Sequence, residues 1–277
     1  MRDAVNSGDA RRYASVYSPS GTISIFGNSE LKGRVAIEQY EVELLAQFPN
    51  ARFAIYDVWY SGRNVVAHYA VNAPTAAMQW MGHEGLLFFT FNDAGEIDLE
   101  NRYQDSLTPM AQLGALGAAP RRAIPTLPAE WRSHETRINA GRNIAAVDRL
   151  VKAIDGRQRT EVQNVLSANP IIDELVLTDK FEGFRGIGRW LDAIGAFAES
   201  RFDIVTTVGV GRHVLIEGVL NARLTQAFGL VKPSSGRVSI HRAAIIEFDD
   251  SGRITAIKAF MNGKELAESA GQWPIRH

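Results

Sequence analysis

The chain has 277 residues, 45% of them hydrophobic, and a formal net charge of -1 at pH 7. The length suits about two domains at ~100–200 residues each, and a near-neutral chain without a long basic run argues against nucleic acid as its main partner, because phosphate binding needs clustered Lys and Arg. Cysteine is absent, which excludes disulfides, thiolate metal sites and cysteine nucleophiles.

The opening segment MRDAVNSGDARR lacks the apolar centre of a signal peptide. No apolar stretch approaches the ~20 residues that span a bilayer, so no membrane partner and a cytoplasmic location are expected. From Gly33 to Phe48, Val35, Ile37, Tyr40, Leu44, Leu45 and Phe48 recur at helical spacing and predict an amphipathic helix. Four runs rich in branched and aromatic residues follow: RFAIYDVWY, NVVAHYAV, EGLLFFTF and EIDLENRY. They read as strands separated by turns, with Asn92-Asp93-Ala94-Gly95 a hairpin turn that uses glycine for a positive φ. Residues 113–131, rich in Ala, Gly and Pro, read as a linker. The expected division is a first domain at 1–115, a linker at 116–132 and a second domain at 133–277.

The second half opens with a long helical run, His134 to Ile154, that has almost no counterpart in the first. Either the first helix is short, or the start lies upstream, or another segment covers the gap. A second amphipathic helix carries Ile187, Trp190, Leu191, Ile194 and Phe197. Strands follow again, with Asp249-Asp250-Ser251-Gly252 as a turn.

The two halves repeat one another. Ala51 to Ala73 aligns without a gap on Ser200 to Ala222: Arg52-Phe53 matches Arg201-Phe202, Gly62-Arg63 matches Gly211-Arg212, and Asn72-Ala73 matches Asn221-Ala222. LKGRVAIEQY aligns with FEGFRGIGRW, and FNDAGEI with FDDSGRI. A period near half the chain exceeds the ~20–50 residues of solenoid repeats and indicates a duplicated domain. Each copy reads as helices, a longer helix, then a mostly antiparallel sheet, an α+β layout.

These motifs, together with NSGDARRYASVYSPSGTI and LTPMAQLGAL in the first half and IDGRQRTEVQNVLSANPIIDE in the second, resemble the nuclear-transport-factor-2-like (NTF2-like) superfamily, and most of all its SnoaL-like polyketide cyclase branch. The resemblance covers nearly the whole chain except the linker. It implies two fused cone-shaped domains, each a curved sheet wrapped against helices around an apolar pocket, packed as an internal pseudo-dimer. It also implies chemistry by a carboxylate or imidazole inside a dry cone, whose burial raises a carboxylate's pKa towards the working pH. The family's catalytic aspartate falls on Arg102 and Ala259, and the strand-four aspartate of ketosteroid isomerases on Leu87 and Ala244. Neither half therefore keeps the acids of the best-known relatives.

Other polar residues are expected on the inner faces. In the first half these are His68, Asn72, His83, Glu100 and Arg102. Two histidines beside a Glu–Arg pair suit a proton relay with an enolate clamp. Tyr13 and Tyr17 are candidate pocket-lining donors, and Trp80 a candidate cover. In the second half Glu174, where ketosteroid isomerases carry their base, stands with Glu217 and Arg242. The catalytic candidates are thus His68, His83, Arg102, Glu100 and Glu174, and the substrate-binding candidates Tyr17, Asn72, Trp80, Glu217 and Arg242. No metal ligand set and no cofactor motif stands out; His68, His83 and Glu100 would hold zinc only if the fold brought them together.

The expected function is a cofactor-independent cyclase, isomerase or lyase acting in the first half on a small apolar molecule bearing a carbonyl or hydroxyl. A non-catalytic binder of the same kind of molecule is the alternative, and an epoxide-opening activity a weaker one. Homo-oligomerisation is left open.

Overall fold

The structure, a computed structural model, describes residues 1–75, 77–135 and 140–275. Two units divide between His134 and Glu135. The first contains α1 (Arg2–Ser7), α2 (Ala10–Ala14), β1 (Tyr17–Ile25), β2 (Ser29–Lys32), α3 (Arg34–Gln47), β3 (Arg52–Ser61), β4 (Asn64–Pro74), β5 (Trp80–Phe91), β6 (Ile97–Gln104), α4 (Leu107–Gln112) and β7 (Arg132–His134). The second contains α5 (Ala140–Asp155), α6 (Arg159–Val165), β8 (Leu166–Glu174), β9 (Lys180–Glu182), α7 (Gly183–Ile194), β10 (Phe197–Val210), β11 (His213–Leu224), β12 (Arg237–Phe248), β13 (Ile254–Met261) and α8 (Gly263–Ser269). Residues 136–139 of the expected opening helix lie outside the described residues.

The first sheet runs β2-β1-β6-β5-β4-β3-β7 and the second β10-β11-β12-β13-β8-β9. Read from the other edge, the second is β9-β8-β13-β12-β11-β10, the same order with β7 left off. In both, a parallel pair lies inside an otherwise antiparallel order, β1 with β6 and β8 with β13, and in the first sheet β7 adds a second parallel pair at the edge, against β3. The duplication read from the sequence is therefore a duplication of topology. The repeated Gly62-Arg63 and Gly211-Arg212 are the two-residue loops between β3 and β4 and between β10 and β11. Both glycines hold a positive φ, 63° and 58°, which costs other residues about 1–2 kcal/mol.

One difference from the sequence reading concerns the strands before each longer helix. β1 and β8 lie inside their sheets, although the sequence pattern placed the sheet wholly after the helix. Each pairs with a strand far along the chain, and such long-range parallel pairing leaves no local signature. Arg132–His134, immediately after the Ala/Gly/Pro-rich stretch, pair as β7 with β3. Upstream of it, the Pro125 and Thr126 carbonyls accept hydrogen bonds from Asn72 and Tyr56.

The core of the first unit lies between α1–α3 and one face of its sheet, with Tyr13, Ile23, Ile37, Phe53, Leu87 and Phe89 buried in it. α3 presents Ile37 and Glu41 inward and leaves Val35 81% exposed. On the sheet, the Tyr69 ring lies over Gly85, where an added Cβ would come within 2.4 Å of the ring. Gly85→Ala therefore forces the buried Tyr69 to move and is expected to cost about 1–3 kcal/mol, the usual overpacking range, read as a lowered midpoint in urea unfolding of the full-length chain.

Candidate active site

Strand alternation sets the floor of a hollow in the first unit. β4 turns Tyr69, Val71 and Ala73 inward, β5 Met81, His83 and Leu87, and β6 Arg102 and Gln104. Their register places Val71 opposite His83 and Leu87 opposite Arg102. Tyr13 from α2 and Tyr40, Glu41, Leu44 and Leu45 from α3 form the roof over a cavity of about 240 Å³. Most of this wall is apolar.

The charged end of the hollow is a connected group. Arg102 Nε donates to Glu100 Oε1 at 2.7 Å, and an Nη2 hydrogen goes to the Tyr13 hydroxyl at 2.7 Å. Glu100 is fully buried and receives the Tyr17 hydroxyl on its other oxygen. The Tyr13 and Tyr17 hydroxyls lie 3.1 Å apart. Burial and the neighbouring carboxylates hold both tyrosines well above the usual phenol range, so they stay neutral donors.

Glu41 faces the same guanidinium at 3.9 Å, too far for a hydrogen bond. It is 2% exposed, and its Oε1 has no hydrogen-bond partner among the described residues. Burial pushes its carboxyl up to about 7; Arg102 opposes the shift and Glu100 adds to it. A carboxyl poised there exchanges a proton near neutral pH. His83 moves the other way, pulled down to about 4 chiefly by burial, with Arg102 contributing. Its imidazole is therefore neutral at pH 7. Its Nδ1 lies 3.4 Å from the Glu84 carbonyl, which only accepts, so Nδ1 carries the proton and Nε2 is left as acceptor.

The structure brings His83, Glu100 and Arg102 together and separates other expected members. His68 and Asn72 are on the opposite face of β4. There His68 Nε2 meets Glu84 at 2.8 Å and its ring stacks on Tyr56. The inward assignment of both is corrected: the middle of β4 is buried on both faces, so apolar alternation did not label which side faces the hollow. The conceivable zinc set falls with it, since His68 and His83 sit on opposite sides of the sheet. Among the described residues no group of three or more His, Cys, Asp or Glu is placed to hold a metal ion. Tyr17, expected to line the pocket, begins β1 and stands behind the hollow, outside its lining. Trp80, paired with Pro74 at a strand end, is half exposed and does not line the cavity. Glu41 is the residue that the sequence reading passed over. Its signal was present: it occupies the stripe of Ile37, Leu44, Leu45 and Phe48, where a charge interrupts an apolar helical face.

The second unit has a smaller hollow of about 80 Å³, lined by Leu150, Trp190, Phe202, Ile216, Ala259 and Arg242 among others. Glu174 is fully buried, takes the Trp190 indole N–H at 2.9 Å, and accepts from Arg242 on both oxygens. Glu217 lies on the face of β11 opposite Ile216 and Leu220, paired with Thr206 and Ala243. Its inward placement is corrected for the same reason as His68: β11 is buried on both faces around it.

Residues 1–99 match the family model of the SnoaL-like domain. The first unit is a SnoaL-like domain. The second repeats its strand order. No curated protein matches the chain. Similar solved structures include a protein described as a SnoaL-like polyketide cyclase from Jannaschia sp. CCS1, at 16% identity over 50% of this chain and 96% of that one, TM-score 0.44. An LEH-like epoxide hydrolase of M. tuberculosis is 18% identical over 48% of this chain and 88% of that one, TM-score 0.39. An NTF2-like protein from Burkholderia xenovorans LB400 is 13% identical over 47% and 97%, TM-score 0.40. Among the described residues no helix is long and apolar enough to cross a membrane.

Within the SnoaL-like unit, the raised Glu41 carboxyl has a consequence for stability. The folded state holds this proton up to about 7, whereas an unperturbed glutamate releases it near 4.5. Stability is therefore unaffected below the unfolded value and falls as pH rises between the two, by about 3 kcal/mol at most. Glu41→Gln is expected to melt higher than the wild type at pH 8.5 and to converge with it below pH 4.5, read by thermal melts of the full-length chain across pH.

Proposed function

We propose that the protein is a cofactor-independent acid–base enzyme, a cyclase, isomerase or lyase. It acts in the hollow of the SnoaL-like unit on a small apolar molecule bearing a carbonyl or hydroxyl. The observation that carries this reading is the setting of Arg102. Its guanidinium lines an apolar-walled cavity while its counter-charge, Glu100, sits behind it and out of the cavity lining. A donor held in place in a dry site stabilises an oxygen as it gains charge, without reorganisation during the reaction. Neutral His83 Nε2 positions a substrate hydroxyl without adding charge. Gln104 is held by the Tyr69 hydroxyl at 2.8 Å and shapes the same wall.

A non-catalytic ligand-binding role is the second reading, favoured by the second hollow. There both oxygens of Glu174 are engaged by Arg242 and Trp190, and the rest of the lining is largely apolar. The same engagement counts against an epoxide-opening reaction driven by Glu174.

The test is incubation of the full-length chain with a metabolite extract, followed by mass spectrometry. The enzyme reading expects one carbonyl or hydroxyl compound to be consumed, with an isomer of equal mass or a dehydrated product formed. A double variant, Glu100→Gln with Arg102→Leu, removes both buried charges together so that neither is left uncompensated. It is expected to lower this turnover at least about 100-fold while melting cooperatively. A compound that is retained but unchanged overturns the enzyme reading in favour of the binder.

A further inference from the structure

We propose that Glu41 of α3 is the proton-transferring carboxylate of the first hollow, acting on neutral substrates whose reactive C–H is adjacent to a carbonyl. This deepens the acid–base reading above and rests on it. The resemblance places family acids at Arg102 and Leu87, on the sheet; here the acid comes from the helix roof instead.

Elimination among the nearby carboxylates points to Glu41. Glu100 uses one oxygen for Arg102 and the other for Tyr17. Asp105 caps α4, accepting from the Leu107 and Thr108 backbone N–H groups and the Thr108 hydroxyl. Glu41 lines the cavity with an unpartnered Oε1. Its position is not demanded by the fold either: alignment of the two helices puts Leu191 of α7 at the corresponding place, buried in the core of the second unit. A charge that costs stability where the other copy carries leucine needs another reason to be there.

The geometry supplies one. The 3.9 Å between Glu41 Oε1 and the Arg102 guanidinium lets one carbonyl-bearing group address both. Its oxygen meets Arg102, and its adjacent C–H meets Glu41. In the step, the C–H bond breaks and the proton passes to Glu41 Oε1. The electron pair moves into the carbon–carbon bond, giving an enolate whose oxygen charge lies against Arg102. In an unsaturated carbonyl compound the enolate is conjugated, and return of the proton from Glu41 to the far carbon completes an isomerisation; alternatively the enolate carbon attacks a second carbonyl in the same molecule, whose π pair moves onto its oxygen, and the proton on Glu41 passes to that alkoxide to complete a cyclisation. Nothing is oxidised or reduced. The substrate is neutral because Glu100 already balances Arg102, and a substrate carboxylate would face ionised Glu41.

The groups facing Glu41 are Arg102 and Glu100 from β6, Tyr13 from α2, Tyr40 on its own helix, Tyr69 from β4 and His83 from β5. Burial holds the tyrosines above their ordinary value and His83 near 4. Glu41 is thus the group in this set that changes charge around pH 7, so exchange should rise with pH as it ionises.

The experiment uses 2-tetralone as the probe and follows deuterium incorporation beside its carbonyl by proton NMR, with the full-length chain in D2O from pH 5 to 9. The wild type is expected to exceed the buffer rate, with a rise centred near pH 7. Glu41→Gln should fall at least about 100-fold, the lower end for a positioned general base, and Glu41→Asp should recover part of the loss with the same pH profile shape. If Glu41→Gln exchanges as fast as the wild type while the Glu100→Gln/Arg102→Leu variant does not, Glu41 is not the base and the acid–base reading survives. If the wild type does not exceed buffer although an extract compound is turned over, the assignment of Glu41 to carbonyl-adjacent C–H substrates is overturned. Loss of turnover of every extract compound removes the broader reading instead.

Discussion

A guanidinium inside an apolar hollow must be neutralised where it stands, and the interior of the first unit is arranged around that requirement for Arg102. An unpaired buried charge costs several kcal/mol. Glu100 meets the need from two residues away because side chains two apart on a strand share a face. The pair is then satisfied from elsewhere: Tyr17 reaches Glu100 from β1, and Tyr13 reaches Arg102 from α2. The parallel pairing of β1 with β6 brings the Tyr17 hydroxyl within reach. With its counter-charge fixed on one side, the guanidinium keeps another side toward the cavity. Glu41 is left near enough to feel Arg102 and too far to bond to it.

The second unit meets a similar requirement with different positions on the same strand order. Its last strand carries Ile257 and Ala259 where β6 carries Glu100 and Arg102. The acid has moved to Glu174 of β8, opposite Ala259, just as Ile25 of β1 is opposite Arg102. The base has moved to Arg242 of β12, opposite Gly218, in the place where Gly85 stands opposite Tyr69. Here the acid is saturated by Arg242 and Trp190, and α7 offers leucine where α3 offers Glu41. One scaffold thus holds an ion pair whose carboxylate is fully engaged in one copy and an ion pair with an adjacent spare carboxyl in the other. A shared fold leaves the chemistry to a few inward positions.

The sequence made the architecture legible because its signals are local. The turn glycines, the helical periodicities and the ordered matches between halves each depend on a short stretch of chain. They were enough to show two α+β copies and a polar cluster near His83, Glu100 and Arg102. The inner strands β1 and β8 were not legible, since each is made a strand by a partner some eighty residues away. His68, Asn72 and Glu217 were misplaced because their strands are buried on both sides, and two buried faces erase the alternation that would distinguish them.

The amino-acid sequence by itself determined the duplication, the helix and hairpin positions, and the absence of thiol chemistry, since each follows from residue type and spacing along the chain. Tertiary structure alone decided which titratable groups share a hollow and in what state. The state of Glu41 follows from burial under α3, a guanidinium on β6 and a carboxylate behind it. Desolvation and Coulomb interactions depend on distances between elements, and spacing along one strand or helix does not contain those distances.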